Sequence, residues 1–185
     1  MIEEALLEAE DKMEKAIDVL RNEFSKIRSG RANPELFTSL MVDYYGAPTP
    51  LQQLASVTVP EARQILISPY DRSAMKDIER AIQEADLGVN PTDDGQVLRV
   101  NLPALTEERR KEYVRLARAK AEEGRISIRG NRRNAKEELE RIKKDGDAGE
   151  DEVERAEKEL EALTKRFTDQ VDELLAGKEN DLMEI

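Results

Sequence analysis

The chain contains no cysteine and no histidine. The first absence excludes disulfides and thiolate chemistry and points to a reducing compartment. The second removes the commonest general base and metal ligand. Aromatic residues are only 4% of the sequence, so the core is expected to be aliphatic and helical. No apolar run approaches the roughly 18 residues that span a bilayer. The first residues, MIEEALLEAEDKMEKA, are acidic, unlike a signal or transit peptide. A soluble, cytoplasmic protein without a membrane partner is expected.

Charge is what the chain has in abundance. Asp and Glu number 41 against 30 Lys and Arg in 185 residues, a charged fraction that suits long exposed helices. Against that acidic background, GRISIRGNRRNAK (124–136) holds five cations and no acid. RISI alternates like a strand, two glycines interrupt the stretch, and its flanks look helical.

Helical phase resolves the ambiguity. Leu6, Met13, Leu20 and Ile27 recur every seven residues, with Ile2, Ala9 and Ala16 as a second row and Ile17 and Phe24 widening the stripe. This predicts a helix over about 2–29. Val153, Leu160, Phe167 and Leu174, beside Ala156, Leu163 and Val171, predict another over 150–183. The segment DGDAG (145–149) supplies the turn before it.

Between these, Thr106 suits an N-cap, and Glu107 and Glu108 suit a first turn. Tyr113, Ala117, Ala121, Gly124, Ile128, Asn131, Ala135, Leu139 and Ile142 then follow at threes and fours. The predicted helix, 107–144, is a rod of about 57 Å. Three such stripes bury best against one another, as a three-helix bundle.

Residues 30–104 break the rhythm, with Pro34 and all six other prolines inside this stretch. LMVDYYG, ASVTV, QILIS and VLRVNL read as strands, and DDG (93–95) reads as a turn. Asp71 is placed to cap a short helix that ends just before Gly88. The expected fold class is α+β. A long three-helix bundle (1–29 and 105–185) carries an inserted small α+β domain (30–104). Ser29, Gly30 and Arg31 form one joint; Leu102, Pro103, Ala104 and Leu105 form the other. Such joints serve equally as a hinge or as rigid corners.

The helix over 107–144 is the only net basic segment. At about 100° per residue, Arg115, Arg118, Arg125, Arg129, Arg132 and Arg133 share an arc of about 100° with Lys111 and Lys136. Glu122 is the only acid of that helix among them. The bland alternative is a solvated face paired with acids on neighbouring helices. Arginine's planar fork suits bidentate phosphate contacts, and a one-signed stripe reads as a docking surface for a phosphate backbone, DNA or RNA. Glu122-Glu123 and Asp93-Asp94 are poor metal sites, so no metal or cofactor is expected. Asp43, Tyr44 and Tyr45 make a weak acid–phenol candidate. With no phosphate loop and no nucleophile motif, an enzyme is not expected. A structural or chaperone-like helical module that binds proteins is the second reading.

Seven motifs make the chain similar to the ribosome recycling factor family along essentially its whole length. They are IRSGRANP (27–34), VDYYG (42–46), PLQQLA (50–55), VPEAR (59–63), PYD (69–71), LGVNP (87–91) and LPALTEERR (102–110). The resemblance implies a bundle and a β/α/β domain in an L shape like tRNA. It implies a monomeric translation factor that acts after termination. With elongation factor G, it splits ribosomes that still carry mRNA and deacylated tRNA. The bundle is implied to lie on large-subunit rRNA, with the small domain swinging about the hinge. Arg129, Arg132 and Arg133 match the family's rRNA-contacting motif, and Arg28 and Arg31 match the arginines at the first joint. Asn131 stands where the family usually has an apolar residue, and Asn134 where it usually has aspartate.

Overall fold

The computed structural model describes residues 1–184. The chain folds into two compact units. One comprises Met1–Arg28 and Glu107–Met183; the other comprises Ser29–Thr106, together with Glu184.

Three helices make the first unit: α1 (Ile2–Ser25), α5 (Glu107–Lys144) and α6 (Glu150–Met183), the others in chain order lying in the second unit. Each packs against both of the others. The seven-residue stripes are their inward faces. Met13, Ile17, Leu20 and Phe24 meet Ala117, Ala121, Ile128 and Leu139, and Val153, Leu160, Phe167 and Val171 close the core. Fully burying one such large side chain is worth about 1.5–3 kcal/mol. Gly124 sits where a Cβ would lie 3.7 Å from Leu20 and 3.9 Å from Val171, so the three helices converge closely at this level.

The turn from α5 to α6 depends on Gly146, whose φ of +72° is left-handed. The Asp147 amide reaches back to the Ile142 carbonyl at 3.1 Å. α1 stops at Ser25, four residues short of the expected end. There the Ser25 hydroxyl bonds the Asn22 carbonyl at 2.6 Å, a local alternative to helical continuation. The Lys178 ammonium of α6 then donates to the Ile27 carbonyl at 2.7 Å. Burial lowers the Lys178 pKa, and this side chain ties the end of α1 to α6.

The second unit begins with α2 (Glu35–Thr38), β1 (Met41–Tyr44), β2 (Ala47–Pro50) and α3 (Leu51–Leu54). It continues with β3 (Ala55–Glu61), β4 (Gln64–Pro69), a 3-10 turn (Arg72–Ala74), α4 (Met75–Glu84), β5 (Pro91–Asp93) and β6 (Leu98–Asn101). β1 and β2 form a hairpin, and the other strands form an antiparallel sheet ordered β3-β4-β6-β5. Ile65 pairs with Val100 and Ile67 with Leu98, so one face of β4 and β6 is apolar. Ile78 and Ile82 of α4 join these residues in a core separate from that of the bundle.

Two strands escaped the sequence pattern. β2 reads APTP, but a strand with one neighbour tolerates proline's missing N–H. β5 has only three residues. Asp71 caps as expected, accepting the Ser73 amide at 3.0 Å, although the cap opens the 3-10 turn rather than α4 itself. α4 ends at Glu84, earlier than Gly88, and Asp86 already takes a left-handed φ of +52°.

Candidate nucleic-acid interface

Arginine side chains leave α5 along one stripe because Ala117, Ala121, Ile128 and Ala135 fix the opposite side in the core. The stripe is less free than the α5 sequence suggests. α6 runs antiparallel beside it and presents three acids. Arg118 Nε donates to Glu179 at 2.7 Å. Arg125 sends Nε and Nη2 to Asp172 at 3.2 and 2.6 Å, and its Nη1 to Glu122 at 3.2 Å. Hydrogen bonding to Glu179 and to Asp172, respectively, raises the pKa of each guanidinium further. These two residues, expected to face phosphate, are ion-paired across to α6.

The next turns differ. Arg129 reaches Glu122 at 3.3 Å, and about half of its side chain is exposed. Arg132 makes one contact, Nη1 to Glu161 at 3.2 Å, and its buried Nε has no hydrogen-bond partner. Arg133 and Arg115 are exposed and make no ion pair or hydrogen bond among the described residues. The cationic character is therefore concentrated at Arg129, Arg132 and Arg133, with Arg115 toward the start of the helix.

Arg28 is half-buried at the end of the first unit, and its Nη2 lacks a partner. Arg31 pairs with Glu184 at 2.5 Å. Ser29, Gly30 and Arg31 have no regular structure, and neither do Pro103, Ala104 and Leu105. Leu102 belongs to the core of the second unit, and its amide donates to the Arg63 carbonyl at 2.7 Å.

Asn131 is half-buried and lines a groove between α1 and α5, with Lys12, Leu20 and Gly124. It points away from the arginine stripe. Gly130 has open space where a Cβ would stand, so no contact requires glycine. Gly130→Ala is expected to stabilise the bundle by about 1 kcal/mol, the helical cost of glycine. Chemical denaturation followed by circular dichroism checks this; an unchanged or lowered midpoint refutes it.

The acid that Tyr44 meets is Asp71, not Asp43: the phenol donates to Asp71 Oδ2 at 3.0 Å. That bond raises the Tyr44 pKa, and the Ser73 amide contributes most to lowering that of Asp71. The Tyr45 hydroxyl lies 3.3 Å from Ser73 Oγ. These bonds pin the β1–β2 turn, where Tyr45 and Gly46 have φ of +50° and +81°, against the 3-10 turn. Glu122 and Glu123 face arginine and lysine, while Asp93 and Asp94 accept turn amides.

Comparison with known proteins places this geometry in context. The family model described as Ribosome recycling factor matches residues 20–183. Curated proteins named ribosome-recycling factor from Kineococcus radiotolerans and Beutenbergia cavernae are 63% and 62% identical to the chain, over the full length of both partners. A solution structure of a ribosome recycling factor has a TM-score of 0.81 at 41% identity, covering 100% of this chain and 98% of its own. A second structure, with a TM-score of 0.67, 42% identity and full coverage of both chains, belongs to a set of models. That set contains the T. thermophilus ribosome recycling factor and E. coli elongation factor G bound to the E. coli post-termination complex.

Proposed function

Because the chain belongs to the ribosome recycling factor family, we propose that it binds the post-termination ribosome and, with elongation factor G, releases the subunits for reuse. The bundle docks on large-subunit rRNA through α5, and Arg129, Arg132 and Arg133 carry the contact to phosphate. Arg28 adds a further cation at the end of the same unit. Arg118 and Arg125 serve the contact indirectly, by holding α5 against α6.

The observation that carries this reading is the unequal use of the arginines. Where Arg125 has all three guanidinium nitrogens bonded and Arg118 is paired through Nε, Arg132 makes a single bond and Arg133 has no ion pair or hydrogen bond among the described residues. The Arg132 side chain is 40% exposed and makes a single hydrogen bond through Nη1, so its terminal guanidinium donors are left for an incoming phosphate oxygen. The remainder of the molecule is acidic and disfavours other orientations on RNA.

Co-sedimentation with purified large subunits tests the proposal. Binding is expected to fall steeply between about 50 and 200 mM salt, because each neutralised phosphate releases a counterion. Absence from the ribosomal fraction at both salt concentrations would favour a protein-binding helical module instead.

A further inference from the structure

Arg118, Arg125 and Arg132 stand seven residues apart on α5. Since α6 is antiparallel, their partners must step back along α6 by seven. The first two do so: Glu179 meets Arg118 and Asp172 meets Arg125. The same step places Lys165 opposite Arg132. Farther along, the ion pairs slip one turn along α6 from that count: Arg132 meets Glu161 and Lys143 meets Glu150, both at 3.2 Å. By the count, the third rung of the ladder sets two cations against each other.

Both side chains turn away from that rung. Lys165 pairs with Asp169 on its own helix at 2.7 Å. Arg132 leans one helical turn along α6 to its single contact with Glu161. The contrast with Arg125 is large, for all three of its guanidinium nitrogens are engaged. A phosphate must displace three hydrogen bonds to capture Arg125 but only one to capture Arg132.

We propose that Lys165 is a positioning residue: by denying Arg132 an acid at its own rung, it keeps that guanidinium available to a phosphate oxygen of rRNA. This rests on the reading of α5 as the docking face. A lysine at 165 gives up one interhelical ion pair, a small sacrifice for an exposed pair, and leaves donors uncommitted where the cations cluster.

The test is Lys165→Glu, which completes the ladder. The side chain is 76% exposed, so the fold is retained. Affinity for purified large subunits is expected to fall about ten-fold, the equivalent of one charge-assisted hydrogen bond. The slope of log affinity against log salt becomes shallower by about one unit, as for one lost phosphate contact. Lys165→Gln, which offers no acid, stays close to the unmodified protein. In an Arg132→Gln background, Lys165→Glu has no further effect.

Wild-type affinity for Lys165→Glu overturns the proposal. So does an equal loss in both backgrounds, which would reflect added surface charge alone. If Arg132→Gln itself binds like the unmodified protein, the docking face is misassigned. If it binds weakly while Lys165→Glu binds normally, only the role of Lys165 fails.

Discussion

Arg132→Glu is expected to weaken binding to the large ribosomal subunit by about a hundred-fold while leaving the bundle folded. Two effects add in the bound state. The charge-assisted hydrogen bond to phosphate, worth about 1.5–3 kcal/mol, is lost. A carboxylate then faces the phosphate backbone and repels it at short range, where screening is weakest. In the free protein little changes, because Arg132 makes one contact, to an exposed Glu161. Surface ion pairs of that kind contribute about 0–1 kcal/mol. Helical circular dichroism and a cooperative melt should persist. Equilibrium binding to purified subunits at a fixed salt concentration decides the matter. Unaltered affinity would mean that the arginine stripe is a solvated face.

The role of that stripe shows where sequence reasoning reaches its limit. The bounds of α5 and α6 were legible because long stripes of Leu, Val, Ile and Ala end at strong punctuation, Thr106 on one side and Gly146 between the two helices. The phase of α5 also separated Ile128 from its neighbouring arginines correctly. Phase within one helix, however, says nothing of the register between two. Glu161, Asp172 and Glu179 look like ordinary surface acids until α6 is laid beside α5, and only then do two of the seven arginines proposed for rRNA become ladder rungs. The burial of Leu102 was illegible for a related reason. It lies beside Pro103, in what reads as a joint, yet it is buried in the core of the second unit, its amide bonded to the Arg63 carbonyl just beyond the end of β6. β2 was missed because two prolines argue against a strand, an argument that weakens where only one edge is paired.

Phe167→Ala is expected to have the opposite signature, a large loss of stability with intact binding by whatever remains folded. Phe167 is 2% exposed in the bundle core, and the Arg166 guanidinium lies 5.0 Å from the ring centroid. Removing a buried phenyl ring costs about 3–5 kcal/mol, since the space it leaves is only partly refilled. Against the 5–15 kcal/mol typical of a whole domain, that is a substantial fraction. The second unit has a separate core and offers a built-in control. The chain has no tryptophan, and of its four tyrosines Tyr44, Tyr45 and Tyr70 lie in that unit. Denaturation followed by helical circular dichroism should show a lowered midpoint, whereas tyrosine emission should move less. A loss below about 1 kcal/mol would mean that the helices repack without the ring. Equal shifts by both probes would mean that the two cores unfold as one cooperative unit. Under conditions where the variant remains folded, its affinity for large subunits should match the unmodified protein, because the ring lies inside and the arginines outside.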